Sequence, residues 1–213
     1  FNLKMKIFIL CGGFGTRLDH EGKLMAKPMV RIGRYPILMH IIKNYCNQNF
    51  SSFVFCLGHK SNTIINYFLK ENKKYIKIIY IKKSNIKFSY KKKNIIFVGN
   101  LIYTGLNTGT GGRIKKAYKK LKMNEDFMMT YGDGLSNVSI KNLLNFHYRK
   151  KAKITLTAVR PKQRYGVIKI EKNRVTHFDN ENRKAETYVN GGYFVIAKET
   201  INKIKKNKIY WEQ

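Results

Sequence analysis

Residues 7–18 read IFILCGGFGTRL. An unbroken apolar run, Ile7 to Leu10, meets three glycines within five residues, then Thr16 and Arg17. A short apolar run bounded by turn residues reads as a buried strand, here Lys6–Cys11. The glycines let backbone approach a ligand closely, and successive N–H groups in such a turn suit an anion. Arg17 adds a planar fork that matches phosphate oxygens. A phosphate ester is the ligand this points to; an ordinary strand-to-loop turn is the plain alternative.

Outward from that strand the chain alternates. Pro36 to Asn47 has helical periodicity, and Phe53–Leu57 is a second buried strand. Ser61 is placed to cap a helix through Phe68. Ile76–Ile81 and Ile95–Val98 are strand-like, and the lysine-rich stretch between them, Ser84–Asn94, fits neither pattern clearly. Gly105–Gly112 opens a helix to about Leu121, Phe127–Tyr131 is a strand, and Ser139 caps a helix to Arg149. Strands alternating with helices predict an α/β fold, with a mostly parallel sheet and helices on both faces. Beyond Lys151 short strands follow one another: Ile154–Val159, Val167–Ile170, Val175–Phe178 and Tyr188–Ile196. They predict an antiparallel, β-rich C-terminal extension of the same sheet, with a last helix near Lys198. One domain over 5–213 is expected, with an α/β core over 5–150 and a β-rich lobe over 151–213.

The formal net charge is +31 over 213 residues. The lysines are scattered through almost every segment, and Lys, Asn, Ile and Tyr share AT-rich codons. The charge therefore reads as a solvated surface that helps attract a triphosphate, not as a nucleic-acid footprint. No apolar run approaches the ~20 residues of a membrane helix, and no signal-peptide pattern opens the chain. Three cysteines without metal spacing, Cys11, Cys46 and Cys56, read as small core residues of a reduced, cytosolic protein. The scattered histidines form no triad.

Two loops carry the chemistry. The first lacks the third glycine of a dinucleotide fingerprint and the Gly-Lys-Ser/Thr of a P-loop. It is followed by Lys27-Pro28-Met29, so Arg17 and Lys27 bring two cations to one glycine loop. Such cations stabilise the charge that grows as a phosphoanhydride breaks. The second is Thr130–Gly134, TYGDG, at the carboxyl end of a strand, where open α/β sheets bind ligands. Asp133 there suits Mg²⁺ held against phosphates; an Asp-Gly turn is the bland alternative. TGTGGR, Thr108–Arg113, is a helix start that also offers backbone donors to an anion. NGGYF, Asn190–Phe194, puts two glycines in a strand, the mark of a bulge or of close backbone approach.

Taken together, these motifs, with RYG at Arg164–Gly166 and WEQ at Trp211–Gln213, resemble the sugar-1-phosphate nucleotidyltransferases. TGGR with TYGDG is most similar to the glucose-1-phosphate cytidylyltransferase branch. The resemblance implies a Rossmann-like fold and transfer of a cytidylyl group from CTP to α-D-glucose 1-phosphate. The products are CDP-glucose and pyrophosphate, and the cofactor is Mg²⁺. By position, Leu10, Cys11, Gly12, Gly13, Phe14, Gly15, Thr16 and Arg17 wrap the nucleotide. Lys27, Thr108, Arg113 and Gly132 also touch it. Asp133 holds the metal; Tyr165, Gly166, Asn190 and Gly191 line the sugar side. Arg17, Lys27 and Asp133 carry catalysis. The expected partners are CTP, a sugar 1-phosphate and further copies of the chain, with no nucleic acid and no membrane.

Three departures stand out. Where the family has Glu-Lys-Pro, this sequence has DNENR, Asp179–Arg183, with Glu181 in the lysine's place. Tyr103 stands where an aspartate is usual. Family chains run on past Trp-Glu-Gln to a second metal-binding aspartate, so the chain is expected to be incomplete at its C-terminus. Transfer to another sugar phosphate, or a CTP-binding module without turnover, are the alternatives.

Overall fold

A computed structural model gives the fold and describes residues 5–13, 25–161, 167–179, 188–205 and 207–209. The elements are β1 (Ile7–Cys11), β2 (Arg31–Ile32), β3 (Tyr35–Pro36), α1 (Ile37–Asn47), β4 (Ser52–Leu57), α2 (Ser61–Asn66), β5 (Ile76–Lys82), β6 (Asn85–Lys92), β7 (Ile95–Tyr103), α3 (Thr110–Lys120), β8 (Phe127–Tyr131), α4 (Ile140–Arg149), β9 (Ile154–Val159), β10 (Val167–Glu171), β11 (Arg174–Asp179) and β12 (Val189–Ile196). Among the described residues no helix is long and apolar enough to cross a membrane.

One eight-stranded sheet has the order β5-β6-β7-β4-β1-β8-β12-β9. Its centre, β7-β4-β1-β8, is parallel. Strands buried on both faces need apolar residues at every position, and β1 and β4 supply them. Alternation then divides each strand between two cores. Ile7, Ile9, Phe53 and Phe55 pack with Leu38, Ile41, Ile42 and Tyr45 of α1. Phe8, Leu10, Val54 and Cys56 pack with Ile114, Ala117 and Tyr118 of α3. The expected α/β class with helices on both faces is what the chain adopts.

Antiparallel strands close both sides of this centre. β12 and β9 extend it beyond β8, as expected of the C-terminal stretch. β10 and β11 instead form a separate two-stranded ribbon. On the other side the lysine-rich stretch is a full strand, β6, antiparallel to both β5 and β7. Its core-facing residues Phe88 and Tyr90 alternate with Lys87, Ser89 and Lys91.

Smaller expectations fare unevenly. The Ser139 hydroxyl accepts from Asn142 N at 3.3 Å, the expected cap of α4. Ser61 is not a cap. Lys60, in the left-handed region at φ 53°, precedes α2, and no side chain caps that helix. Residues 198–203 form a 3₁₀ helix. Cys11 and Cys56 are buried and Cys46 half-buried. Burial pushes the Cys46 and Cys56 thiols up to about 11 and about 12.

His147, 2 % exposed on α4, has Nδ1 2.9 Å from the Thr155 hydroxyl. Burial lowers its pKa, with Asp126 and Glu199 opposing. The folded chain therefore keeps a neutral imidazole that the unfolded chain protonates more readily. That stability is present above the ordinary histidine value of about 6.5 and is lost as the pH falls below it. His147→Asn keeps a polar atom near Thr155 but does not titrate. Wild type is expected to lose more melting temperature than this variant on going from neutral pH to about pH 5. Equal losses in paired melts would remove His147 from the acid response.

Candidate active site

The parallel strands end together, and their carboxyl ends bring the two loops into contact. Gly132 N donates to Leu10 O at 3.1 Å, which extends the β1–β8 ladder one residue past Tyr131. A Cβ on Gly132 would lie 2.6 Å from Pro28 Cγ and 2.8 Å from Leu10 O. Only glycine lets the β8 end, the β1 end and the Lys27–Met29 turn meet there. That turn is a 3₁₀ helix with Pro28 in its first turn, and Met29 N donates to Ala26 O.

The contact sets Lys27 Nζ 3.8 Å from Asp133 Oδ2. The Asp133 side chain is 46 % exposed, and nothing lies within 4 Å of a Cβ built on Gly13 or Gly134. A cation, a carboxylate and open backbone thus share one mouth. Cys11 lies beneath it. Burial, then Cys56 and Asp133, push its thiol well above the usual range, so it lines the site as a small neutral residue. Of the expected residues, Leu10, Cys11, Gly12, Gly13, Lys27, Gly132 and Asp133 come together here. Phe14, Gly15, Thr16, Arg17, Tyr165 and Gly166 lie outside the described residues.

Arg113 and Thr108 lie buried beneath these loops. The Arg113 side chain is buried and its fork is directed at protein oxygens. Nη1 donates to Gly105 O (2.6 Å), the Thr104 hydroxyl (2.9 Å) and Leu57 O (3.2 Å). Nη2 donates to Gly12 O (2.8 Å) and Leu106 O (3.0 Å). A Cβ on Gly12 or Gly58 would collide with this guanidinium. The Thr108 hydroxyl, also buried, donates to Thr104 O at 2.9 Å, and Lys116 Nζ lies 3.0 Å from it. Arg113 thus braces the loops after β1, β4 and β7, and Thr108 the loop after β7. The first turn of α3 is covered by the chain itself: Gly109 N donates to Asn207 O, and a Cβ on Gly112 would collide with that carbonyl.

Asn190 and Gly191 sit on β12 where its register with β9 shifts, the expected bulge. Asn190 Oδ1 accepts from Gly192 N at 2.8 Å, and Asn190 Nδ2 donates to the Tyr131 hydroxyl at 3.4 Å. A Cβ on Gly191 would meet the Thr157 hydroxyl oxygen at 2.6 Å. These residues reach Tyr131, two positions before Asp133. Sequence reading missed Tyr193, which pairs with Thr130 and donates from its buried hydroxyl to Gly134 O at 3.4 Å, under the Asp133 turn. Its place inside NGGYF, beside TYGDG in the sheet, was the available signal.

The nucleotidyl transferase family model matches residues 6–212. The chain is 35% identical over 209 residues to a glucose-1-phosphate cytidylyltransferase of Salmonella typhi, covering 98% of this chain and 81% of that one. It is 32% identical over 203 residues to a probable glucose-1-phosphate cytidylyltransferase of Bacillus subtilis, covering 95% and 79%. Among solved structures, HddC of Yersinia pseudotuberculosis, complexed with GMP-PN, superposes with a TM-score of 0.67 at 22% identity, covering 98% and 83%. That likeness bears on the fold.

Proposed function

Because the chain belongs to the nucleotidyl transferase family, we infer that it moves a cytidylyl group from CTP to α-D-glucose 1-phosphate, releasing pyrophosphate and forming CDP-glucose. The observation that carries the choice of nucleotide and sugar is the 35% identity, over nearly the whole chain, to a glucose-1-phosphate cytidylyltransferase. In the transfer, a phosphate oxygen of the sugar forms a bond to the α-phosphorus. The bond from that phosphorus to the bridging oxygen breaks, and its electron pair leaves with pyrophosphate.

This chain's residues divide the work at the mouth. The open backbone at Gly13 cradles phosphates, a role that falls by sequence to Phe14, Gly15 and Thr16 as well. Arg17 and Lys27 stabilise the charge that accumulates on the departing pyrophosphate. Asn190 and Gly191, with Tyr165 and Gly166, face the sugar. Arg113 and Thr108 serve the nucleotide through the loops they brace. The half-exposed Asp133 fits a divalent cation shared with a nucleotide: it is a hard oxygen donor in open surroundings, with room for phosphate oxygens. Among the described residues no cluster of three or more His, Cys, Asp or Glu gathers, so Asp133 would share the ion with the nucleotide's own oxygens. A Mg²⁺ ion held at Asp133 would supply neutralisation of the phosphate charge. Exposed Ile78, Ile79 and Ile81 on the edge strand β5 support assembly with further copies.

The test is pyrophosphate release with glucose 1-phosphate and each of CTP, UTP and dTTP. A site that hydrogen-bonds the 4-amino group leaves a buried group unpaired against a 4-carbonyl. Turnover with CTP is expected to exceed that with UTP or dTTP by about a hundredfold or more. Equal turnover with dTTP would reassign the base. Parallel runs with other hexose 1-phosphates test the consequence of Glu181.

A further inference from the structure

Residues 132–139 join β8 to α4 and carry Asp133 between two glycines. Glycine on both sides leaves that backbone free to turn the carboxylate several ways. The ion pair with Lys27, at 3.8 Å and partly exposed, is too weak to choose among them. The loop is tied down instead by side chains from outside it. Tyr193 on β12 donates to Gly134 O at 3.4 Å, and α1 takes the next stretch. Asn44 Nδ2 donates to Ser136 O at 3.0 Å. Gln48, just past the end of α1, donates from Nε2 to Val138 O at 3.2 Å and accepts at Oε1 from Ile140 N at 2.7 Å. Its Nε2 also lies 3.2 Å from Asn44 Oδ1, so the two amides orient each other. Inside the loop the Ser136 hydroxyl accepts from Val138 N at 3.1 Å.

The same helix carries the other charged group of the mouth. Ile37, the first residue of α1, donates its N–H to Val30 O, and Val30 N donates to Lys27 O. Asn44 stands about two turns further along, on the order of 10 Å. Asn44 and Gln48, at i and i+4, share one face of the helix. α1 is thus a strut with the Lys27 turn at one end and the Asp133 loop at the other. Both amides are half-buried, and neither carries charge, so they hold the loop by donating and accepting alone. We propose, on the reading of the mouth as a nucleotide site, that Asn44 and Gln48 are positioning residues: by fixing residues 136–140 against α1 they set the direction in which Asp133 meets a nucleotide-bound divalent cation.

The test compares CTP binding to the whole chain with and without saturating Mg²⁺, in the absence of sugar phosphate. The readout is the factor by which Mg²⁺ tightens binding. A merely structural change weakens both titrations alike and leaves that factor where it was. Asn44→Leu keeps the branching of the side chain and removes the amide; Gln48→Met does the same for an unbranched one. Neither changes the net charge. Each is expected to cut the factor about tenfold, the low end of the cost of losing an outer partner of a metal ligand. The melting temperature is expected to fall about 2–4 °C for each hydrogen bond lost. In an Asp133→Asn background, with no carboxylate left to direct, Asn44→Leu is expected to change the factor no further. Either folded variant with the wild-type factor, while Asp133→Asn lowers it, overturns the proposal alone. So does an equal cut by Asn44→Leu with and without Asp133. No effect of Asp133→Asn, or no tightening by Mg²⁺ in the wild type, overturns the reading of the mouth and the proposal with it.

Discussion

Asp133→Asn is expected to lower CDP-glucose formation about 10²–10³-fold, the scale of removing one group that stabilises transition-state charge. The substitution keeps the shape of the side chain and removes its charge. Its partner is Lys27 at 3.8 Å, a partly exposed ion pair. Such pairs contribute about 0–1 kcal/mol to stability, so the melting temperature is expected to stay nearly unchanged. CTP binding measured without divalent metal is expected to change little or to tighten, because a negative charge beside the phosphates has gone. The measurements are pyrophosphate release, a thermal melt and a metal-free CTP titration. Turnover within a few-fold of wild type would remove Asp133 from the chemistry.

Arg113→Met is expected to have its main effect on the fold around the mouth. It takes the guanidinium donor from Gly105 O and Leu106 O, whereas Leu57 O keeps the Thr104 N–H and hydroxyl and Gly12 O keeps the His59 N–H. Desolvation by burial lowers the guanidinium's pKa from its ordinary value, with Cys56, Tyr103 and Cys11 opposing. Each buried acceptor left unpaired costs about 1–3 kcal/mol. Allowing for partial relaxation, a loss of about 3 kcal/mol is a fall of roughly 6–12 °C in Tm for a chain this long. CTP affinity is expected to fall with it, because Gly12 is held by one donor fewer. A melt and a CTP titration separate this from direct contact. Weakened CTP binding with an unchanged melt would make Arg113 a ligand contact instead of a brace.

The contrast between these two residues marks how far the sequence is legible. Asp133 sits at the end of an apolar strand in an α/β alternation, and that order alone directs it to the ligand-binding edge. The partnership of Asp133 with Lys27 is not local. It depends on Gly132 letting Pro28 and Leu10 close in, which no periodicity encodes. Arg113 was legible as an arginine beside glycines, but a guanidinium suits carbonyl oxygens as well as phosphates. Only the convergence of the loops after β1, β4 and β7 shows which it meets. The glycines of TGTGG likewise announce a close approach without naming the visitor, here Asn207. The strand β6 was readable after all: Ile86, Phe88 and Tyr90 alternate with lysine and serine, a period-2 signal that the charge obscured.

The central place of β1 also governs how the chain reaches this state. β5, β6 and β7 follow one another closely and zip as antiparallel neighbours through local turns. β1 pairs with β4 and β8, and each pairing closes a long loop whose entropy must be lost before the contact is gained. Refolding is therefore expected to be paced by the capture of β1 between two distant strands. Until then IFILC is an uncharged apolar segment, able to pair with the same segment of another molecule. Lys6, immediately before it, places a like charge on every copy and opposes that encounter.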